Sequence, residues 1–386
     1  MDCRGTRHRL LRLRERGGSV SRNTNSVLDH TSEELRQAFA REGLERFRAD
    51  QVLRWVYGQR VRDFRLMSDL ARPLRERLYE TWSLGCLERE SSFESTDGTR
   101  KLVLRTHDGA KIESVLIPEP RRQTLCVSSQ VGCSLDCSFC ATGRLGLGRN
   151  LRAGEIVDQV LHGAEVLARS GKEITHVVFM GMGEPLLNLD NVIRSIRILA
   201  DPRGMGLSPR RVTVSTAGVV PRMAELGRAL PVRLTVSLHA TTDEVRNELV
   251  PLNRRFPIAT LLEACRRYPA SRRDRLSFEY TLIRGVNDSP DDARRLVKLL
   301  HGLRAKVNLI PMNEHPGSAY RRPEAPQIEA FAGTLAAARL PVTVRRSRGD
   351  DIFAACGQLG APAPSHEGQT RLILSDKQKG NALRHR

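Results

Sequence analysis

Apolar positions along the chain change their spacing twice, and each change predicts a boundary between kinds of structure. From Thr31 and Ser32, which with Glu33 and Glu34 form a helix start, the spacing stays helical as far as Tyr79. Leu35, Phe39, Leu44, Phe47, Val52, Leu53, Val56 and Tyr57 mark its buried faces. Leu66, Leu70, Leu74 and Leu78 continue them, and Gly43 and Gly58 interrupt them. The pattern predicts a small helical domain over residues 30–85. From Ser91 to Pro118 the period is two. Lys101–Thr106 and Lys111–Ile117 alternate on either side of Asp108-Gly109, which predicts a β-hairpin in a linker region, 86–120. Glu113 lies in the second strand beside Ile112 and near Val115. Alternation turns such a residue outward by default; the other reading is a buried base with a raised pKa.

A third pattern, over 121–359, alternates strands with amphipathic helices. Leu125–Ser128, His176–Met182, Arg211–Thr216, Leu234–Ala240, Leu276–Leu282, Lys306–Met312 and Val342–Arg345 are the strands. Ala153–Arg169, Asn191–Leu199, Ile258–Arg267, Pro290–Leu303 and Pro326–Ala338 are helices between them. Repeated βα units build a parallel sheet. The fold class is therefore α/β, a partial (β/α)6 TIM-like barrel, with a small N-terminal helical domain and a β-hairpin extension. Chemistry in such barrels sits past the C-terminal ends of the strands. Small or polar residues stand there: Gly181-Met182-Gly183-Glu184-Pro185, Ser215-Thr216-Ala217-Gly218, Ser237-Leu238-His239-Ala240 and Pro311-Met312-Asn313. Each alone also reads as a strand cap, and His239 alone as a structural histidine. Together they predict a pocket for a polar cofactor. Residues 1–29 and 360–386 carry no apolar period and are predicted to be a disordered basic arm and a flexible tail.

Charge adds a partner class. The formal net charge of +19 predicts attraction to a polyanion, nucleic acid first. The exposed arginines of the helical domain (Arg46, Arg48, Arg54, Arg60, Arg62, Arg65) are either ordinary solvated faces or a dock for an RNA backbone. No apolar run approaches the roughly 18–20 residues that span a bilayer, and the Arg-rich run Arg4 to Arg16 lacks the apolar core of a secretion signal. Clustered, unevenly spread cysteines suit a reducing cytoplasm.

Chemistry concentrates in Gln123–Asn150, which holds Cys126, Cys133, Cys137 and Cys140. The last three are spaced C-x3-C-x2-C. Three thiolates on one loop can take three corners of an iron–sulfur cube and leave the fourth iron open, as a catalytic site requires. A zinc knuckle would need a fourth ligand, and no second CxxC or well-placed His supplies one. Cys356, beside Gly357 on a polar loop, reads equally as a small hydrophobe or as a nucleophile. Cys3, Cys86 and Cys265 carry no motif.

These motifs together resemble a known family. CxxxCxxC at Cys133, Cys137 and Cys140 is similar to the radical S-adenosylmethionine (SAM) signature, and GMGEP to that superfamily's binder of the SAM amino group. LCVSSQVGCSLDCSFCATG, GRNL, GMGEPLLN, VNLIPMN, PVTVRRSRGDDI and AACGQL resemble the RlmN/Cfr family of radical SAM RNA methyltransferases. FRADQVLRWVYGQRVRDF and DGTRKLVLR extend the likeness, which runs from about Leu35 to Leu359. The resemblance implies a 4Fe-4S cluster on Cys133, Cys137 and Cys140, and a SAM pocket at Gly183, Glu184, Ser215, Ser237, Leu238, His239 and Asn313. It implies that Cys356 is methylated on sulfur. A second SAM then gives a 5′-deoxyadenosyl radical, which takes hydrogen from that methyl group, and the carbon radical adds to an adenine ring carbon. Glu113 matches the base that removes the ring proton, and Cys126 the thiol that frees the product by a disulfide with Cys356.

The implied substrate is adenosine of 23S rRNA, and of tRNA, methylated at carbon 2 in the RlmN manner, with carbon 8 in the Cfr manner as the alternative. A flavodoxin-type electron donor, a monomeric chain and no membrane complete the expectation. Met312 in place of an aromatic, Leu147 in place of Phe and Phe353 in place of Asp depart from the family pattern, and none removes a reacting group. Two other classes stay open on residues alone: a radical SAM enzyme with a different substrate, and a non-catalytic iron–sulfur protein that binds RNA or carries electrons.

Overall fold

A computed structural model describes residues 25–269, 275–362 and 371–374; the Arg-rich run and the rest of the tail lie outside these residues. Helix α1 (Ser32–Arg41) begins at a capping box: Thr31 Oγ1 accepts from the Glu34 N–H, and the Glu34 carboxylate accepts from the Thr31 N–H. Helix α2 (Phe47–Leu53) runs into a π-turn over Arg54–Gly58, and α3 (Arg72–Thr81) follows with proline in its first turn. Leu35, Phe39, Val52, Leu53, Val56, Leu70 and Leu78 are buried as their spacing predicts. Phe47 and Leu66 are instead 51% and 58% exposed. They stand at the ends of short elements, where no further turn holds the side chain against a neighbour.

Packed structure is also present earlier than the periodicity implies. Val27 and Leu28, inside the stretch predicted to be a disordered arm, are fully buried in a 3-10 turn. Asp29 Oδ1 accepts from the Gly154 N–H at 2.6 Å. Three residues are too few to show a period, so only tertiary contact reveals this anchor. Arg62 docks the helical domain to the barrel through Asp158 (2.6 Å) and Glu165 (2.5 Å).

Among the described residues, the rest hangs on one 11-stranded sheet. Strands β1 (Leu87–Glu94), β2 (Arg100–Thr106) and β3 (Lys111–Pro118) run antiparallel, so the predicted hairpin is a three-stranded flank. The polar run Glu88–Glu90 hides β1 from a pattern search. Strand β4 (Gln123–Cys126) pairs antiparallel with β3, which makes the flank continuous with the barrel. A separate ribbon, β5 (Gln130–Gly132) with β6 (Leu147–Asn150), brackets the cysteine loop.

Then come α4 (Ala153–Ala168), β7 (His176–Phe179), α5 (Leu189–Ala200), β8 (Val212–Thr216), α6 (Val220–Ala229), β9 (Arg233–Ser237), α7 (Asp243–Leu249), α8 (Ile258–Arg267), β10 (Leu276–Leu282), α9 (Pro290–Leu300), β11 (Ala305–Pro311), α10 (Ala325–Ala337) and β12 (Val342–Val344). Strands β4 and β7 to β12 are parallel neighbours in strict chain order, the signature of successive βα crossovers. Strand β13 (Arg371–Leu374), within the predicted flexible tail, pairs antiparallel with β1. It supplies the partner that the open edge of β1 lacks.

Paired residues face the same side of a sheet. Leu125, Val177, Val212, Val214, Leu234, Val236, Phe278 and Val307 share one face, and all are buried. The helices cover that convex face: a Cβ on Gly163 of α4 would come within 2.8 Å of Leu125. The opposite, concave face carries Thr124, Cys126, Ser215, Thr235, Ser237, Ser277, Glu279 and Asn308. Glu113 pairs with Val103 two positions from Val115, and Val115 pairs with Cys126, so Glu113 also lies on the concave side. The alternation in β3 does point Glu113 away from the apolar core. What it points at is the concave interior rather than bulk water.

Candidate active site

The C-terminal ends of the parallel strands open on a cavity of about 160 Å³. Cys133, Cys137 and Cys140 line one wall. Gly183, Glu184, Ser215, Ser237 and His239 line the strand ends, and Arg345 and Cys356 close the far side. The cysteine loop is held tightly. Gly132 has φ +74 and a Cβ there would sit 1.9 Å from the Gly146 carbonyl oxygen, so no other residue fits. The Cys133 N–H donates to that carbonyl at 2.8 Å, and the Cys140 N–H to the Cys137 carbonyl at 3.0 Å.

The loop also grips the segment carrying Cys356. The Ala141 N–H donates to the Gly357 carbonyl at 2.7 Å, and Thr142 Oγ1 to the Leu359 carbonyl at 2.6 Å. Asn313 Nδ2 donates to the Cys356 carbonyl at 3.0 Å. The first two bonds, between residues more than 200 positions apart, are what bring Cys356 to the three signature cysteines. Cys356 is exposed to the cavity opening yet walled by protein, and burial pushes its thiol up. Cys126, buried at the end of β4, lies within electrostatic reach of Cys356; burial first, and then that neighbour, push it up to about 12. Both are free thiols, like the other described cysteines.

Glu184 is buried and fixed through both carboxylate oxygens. Oε1 accepts from the Leu186 N–H at 3.0 Å and Oε2 from the Ala217 N–H at 2.8 Å. Burial raises its pKa to about 7 against those bonds. Gly183, at φ +95, leaves 2.5 Å between a built Cβ and Gln130 Cβ. The glycine is therefore demanded by the protein's own β5, not by a ligand alone. His239 Nδ1 accepts from the Thr281 N–H at 3.0 Å, which leaves Nε2–H as the remaining donor. Burial and Arg246 hold its pKa down to about 3, so the ring is neutral. Leu238 is buried and takes part through its backbone: its N–H donates to the Glu279 carbonyl at 3.0 Å. Glu113, 12% exposed, pairs with the buried Lys101 at 3.3 Å and accepts from the Gly360 N–H at 2.9 Å. Leu238, Asn313, Glu113 and Cys126 thus surround the cavity without lining it.

Sequence reading missed Arg246. It is fully buried and donates to the carbonyls of Ala217 (2.7 Å), Ser237 (3.0 Å) and Leu238 (2.9 Å) and to Asn253 Oδ1 (2.9 Å). It ties the ends of β8 and β9 together under the pocket, and burial lowers its pKa to about 10. Its surroundings in the sequence, a charged helix, gave no sign of burial.

The donor set fits a cluster and SAM. Burial and mutual repulsion push Cys133 up to about 11 and Cys137 well above its ordinary range, so a strongly cationic metal group is what allows these two to ionise side by side. Among the described residues no three Cys, His, Asp or Glu side chains converge on a single ion. Thiolates at the corners of a multi-iron cluster stand further apart than ligands around one ion. A carboxylate beside them matches the ammonium group of SAM.

Comparison with known proteins decides the family. The radical SAM superfamily model matches residues 127–298, and the ribosomal RNA large subunit methyltransferase N-terminal domain matches 25–84. The dual-specificity RNA methyltransferase RlmN of Syntrophotalea carbinolica is 50% identical over 355 residues, 91% of this chain and 94% of that protein. The chain belongs to the RlmN family. The RlmN of Syntrophobacter fumaroxidans is 52% identical over 335 residues, covering 87% of this chain and 98% of its own length. The crystal structure of a radical SAM methyltransferase from Sphaerobacter thermophilus superposes with a TM-score of 0.86 at 47% identity, over 88% of this chain and 100% of that one. As a radical SAM protein of the RlmN family, the chain uses a 4Fe-4S cluster and SAM. Among the described residues no helix is long and apolar enough to cross a membrane.

Proposed function

We propose that the chain methylates carbon 2 of an adenosine in large-subunit rRNA, and in tRNA, through a methyl group carried on Cys356. The observation that carries this reading is the meeting of Cys356 with Cys133, Cys137 and Cys140 on one cavity, with Cys126 behind it. A radical SAM enzyme that did not use a protein-borne methyl group would have no need of two further thiols there. Cys133, Cys137 and Cys140 hold the cluster, and Glu184 receives the ammonium group of SAM. When bound, the cluster and SAM supply a transferable methyl group and one-electron chemistry able to reach an unreactive aromatic C–H.

The protein's own groups do the rest. Cys356 loses its proton and takes the methyl group on Sγ. Its place at the cavity opening lets the same sulfur meet an incoming base. After the carbon–carbon bond forms, Glu113, whose carboxylate meets Lys101 Nζ at 3.3 Å, receives the ring proton. The Cys126 thiolate then attacks Cys356 Sγ: an S–S bond forms, the S–C bond breaks with its electron pair left on the product carbon, that carbon takes a proton to become the methyl group, and an external dithiol reduces the disulfide. The cycle needs electrons from a flavodoxin-type carrier and a reducing, cytoplasmic setting, in line with the free described cysteines. The chain acts as a monomer. Mass spectrometry of adenosine from rRNA and tRNA treated with the anaerobic holoenzyme tests the reading. It expects 2-methyladenosine; 8-methyladenosine, or unmodified adenosine, overturns it.

A further inference from the structure

Glu113, Glu184 and Glu279 stand at the cavity, and the first two are fully occupied. Both oxygens of Glu184 accept from backbone N–H groups, and Glu113 is shared between Lys101 and the Gly360 N–H. Glu279, on the inward face of β10 and 4% exposed, is different. Its Oε1 accepts twice, from Asn308 Nδ2 at 2.8 Å and from Arg345 Nη2 at 3.2 Å. Its Oε2 is buried and has no hydrogen-bond partner among the described residues. A buried oxygen in that state costs free energy, which a ligand recovers by bringing a donor. Glu279 lines the cavity, so a ligand lodged there can reach it.

The oxygen belongs to the end of the cavity that carries the methyl group. The charges acting on Cys133 and Cys137 include Glu184, and Arg246 acts on Cys137. Those acting on Cys356 are Arg345 and Glu279 ahead of Cys140, and Arg345 reaches Cys126 as well. Glu184 therefore serves the cluster end, and Glu279 with Arg345 the relay end. Arg345 also lines the cavity, and Glu279 Oε1 is the one partner of its guanidinium among the described residues. Register fixes the pair. Glu279 stands between Ser237 and Asn308 on the neighbouring strands, and the Arg345 N–H donates to the Leu309 carbonyl at 2.8 Å.

An anionic acceptor and a cationic donor thus stand side by side on the cavity wall. The Watson–Crick edge of adenine is the matching pattern, with the N6 amino group as donor beside N1 as acceptor. Guanine and hypoxanthine carry the reverse, an acceptor at O6 beside a donor at N1, and would set like against like. Bases taken out of a stack are commonly read on this edge. We propose that Glu279 and Arg345 read the target adenine by its Watson–Crick edge, Oε2 accepting from the N6 amino group and the guanidinium donating to N1. The inference rests on the RNA-adenosine reading above and deepens it. Carbon 2 is bonded to N1, so a base held this way carries carbon 2 on the side of Arg345, the neighbour of Cys356. Carbon 8 lies on the far side of the purine.

The test uses the anaerobic full-length holoenzyme. Its substrates are transcripts of large-subunit rRNA whose methylated position carries adenosine, inosine or purine riboside, which lacks the amino group. In the wild type, purine riboside should lower kcat/KM by about 10–100-fold, the loss of one hydrogen bond to a charged acceptor, and inosine by more. Glu279→Gln keeps an oxygen for Asn308 and Arg345 and turns an amide N–H2 toward the base. It should lower kcat/KM for adenosine and bring adenosine and purine riboside to near parity, while SAM affinity and cluster absorbance hold. A variant that is merely loosened loses activity on both bases alike and keeps the gap between them.

A gap that persists in Glu279→Gln overturns the assignment. So does a loss of SAM affinity in that variant, which would make SAM itself the donor to Oε2. Arg345→Gln, at a half-exposed side chain, covers misfolding of the first variant. There the gap between adenosine and 1-deazaadenosine, which lacks N1, should close, and an unchanged gap overturns the assignment equally. Production of 8-methyladenosine by the wild type sinks the carbon-2 reading, and the gaps then decide the edge on their own. A wild type that methylates no adenosine sinks both.

Discussion

The two faces of the central sheet are made by the same strands and do opposite work. In β10, Phe278, Tyr280 and Leu282 turn outward and are fully buried under helices, while Ser277, Glu279 and Thr281 turn inward. A parallel sheet covered on both sides has near-continuous apolar strands. Here the alternation in LSFEYTL separates an apolar face from a polar one, although every residue of the strand is buried. The convex face holds the fold together by apolar burial. The concave face contributes little to that burial and is free to carry thiols, carboxylates and cations. One-residue periodicity thus separates stability from chemistry, and substitutions on the two faces should fail in different ways.

The largest effect is expected on the concave side. Cys356→Ala should abolish methyl transfer to RNA while the cluster's visible absorbance and the melting temperature stay near wild type. Methylated adenosine from this variant would break the assignment. Cys126→Ala should allow one round of chemistry and then stall, leaving a covalent protein–RNA adduct visible on a denaturing gel; turnover without adduct removes Cys126 from the cycle. On the convex side, Phe278→Ala should cost about 3–5 kcal/mol in a urea melt, with the residual folded protein still binding SAM. Full stability there would mean that the sheet's outer face is not the core.

A pH series sharpens the contrast within the concave face. The Cys126 thiol is pushed up to about 12, so at lower pH its reactive thiolate is scarce and grows about tenfold per pH unit. Adduct lifetime in the wild type should shorten about a hundredfold between about pH 7 and 9, and a flat profile would point to another group as the resolving nucleophile. The smallest effect is expected at Phe353, which adopts left-handed φ 50 while its carbonyl accepts from Lys101 Nζ at 3.3 Å. Asparagine tolerates that conformation better than a bulky ring. Phe353→Asn should therefore gain about 0.5–1 kcal/mol, and a loss would show that the ring's packing outweighs the backbone.

Much of this was legible in the order of residues. The spacing of Cys133, Cys137 and Cys140, the βα period and the polar strand ends are local, and local patterns survive in a one-dimensional record. Val27, Leu28, β1 and β13 were not legible, because each is short or polar and is ordered by a partner far away in the chain. Arg246 and Lys101 were invisible for a related reason. Their burial depends on elements packed over them, and nothing in a charged neighbourhood announces that.

Sequence alone therefore determined the fold class and the cluster loop, and by resemblance it implied the roles proposed for Cys356, Cys126 and Glu113. Only the tertiary structure decided that Glu113 looks into the concave face beside a buried lysine, and that Cys356 is held to the cluster loop through Gly357 and Leu359. The physical reason is that hydrogen bonds and charge act through space. Residues more than 200 positions apart share one cavity once the strands are laid side by side.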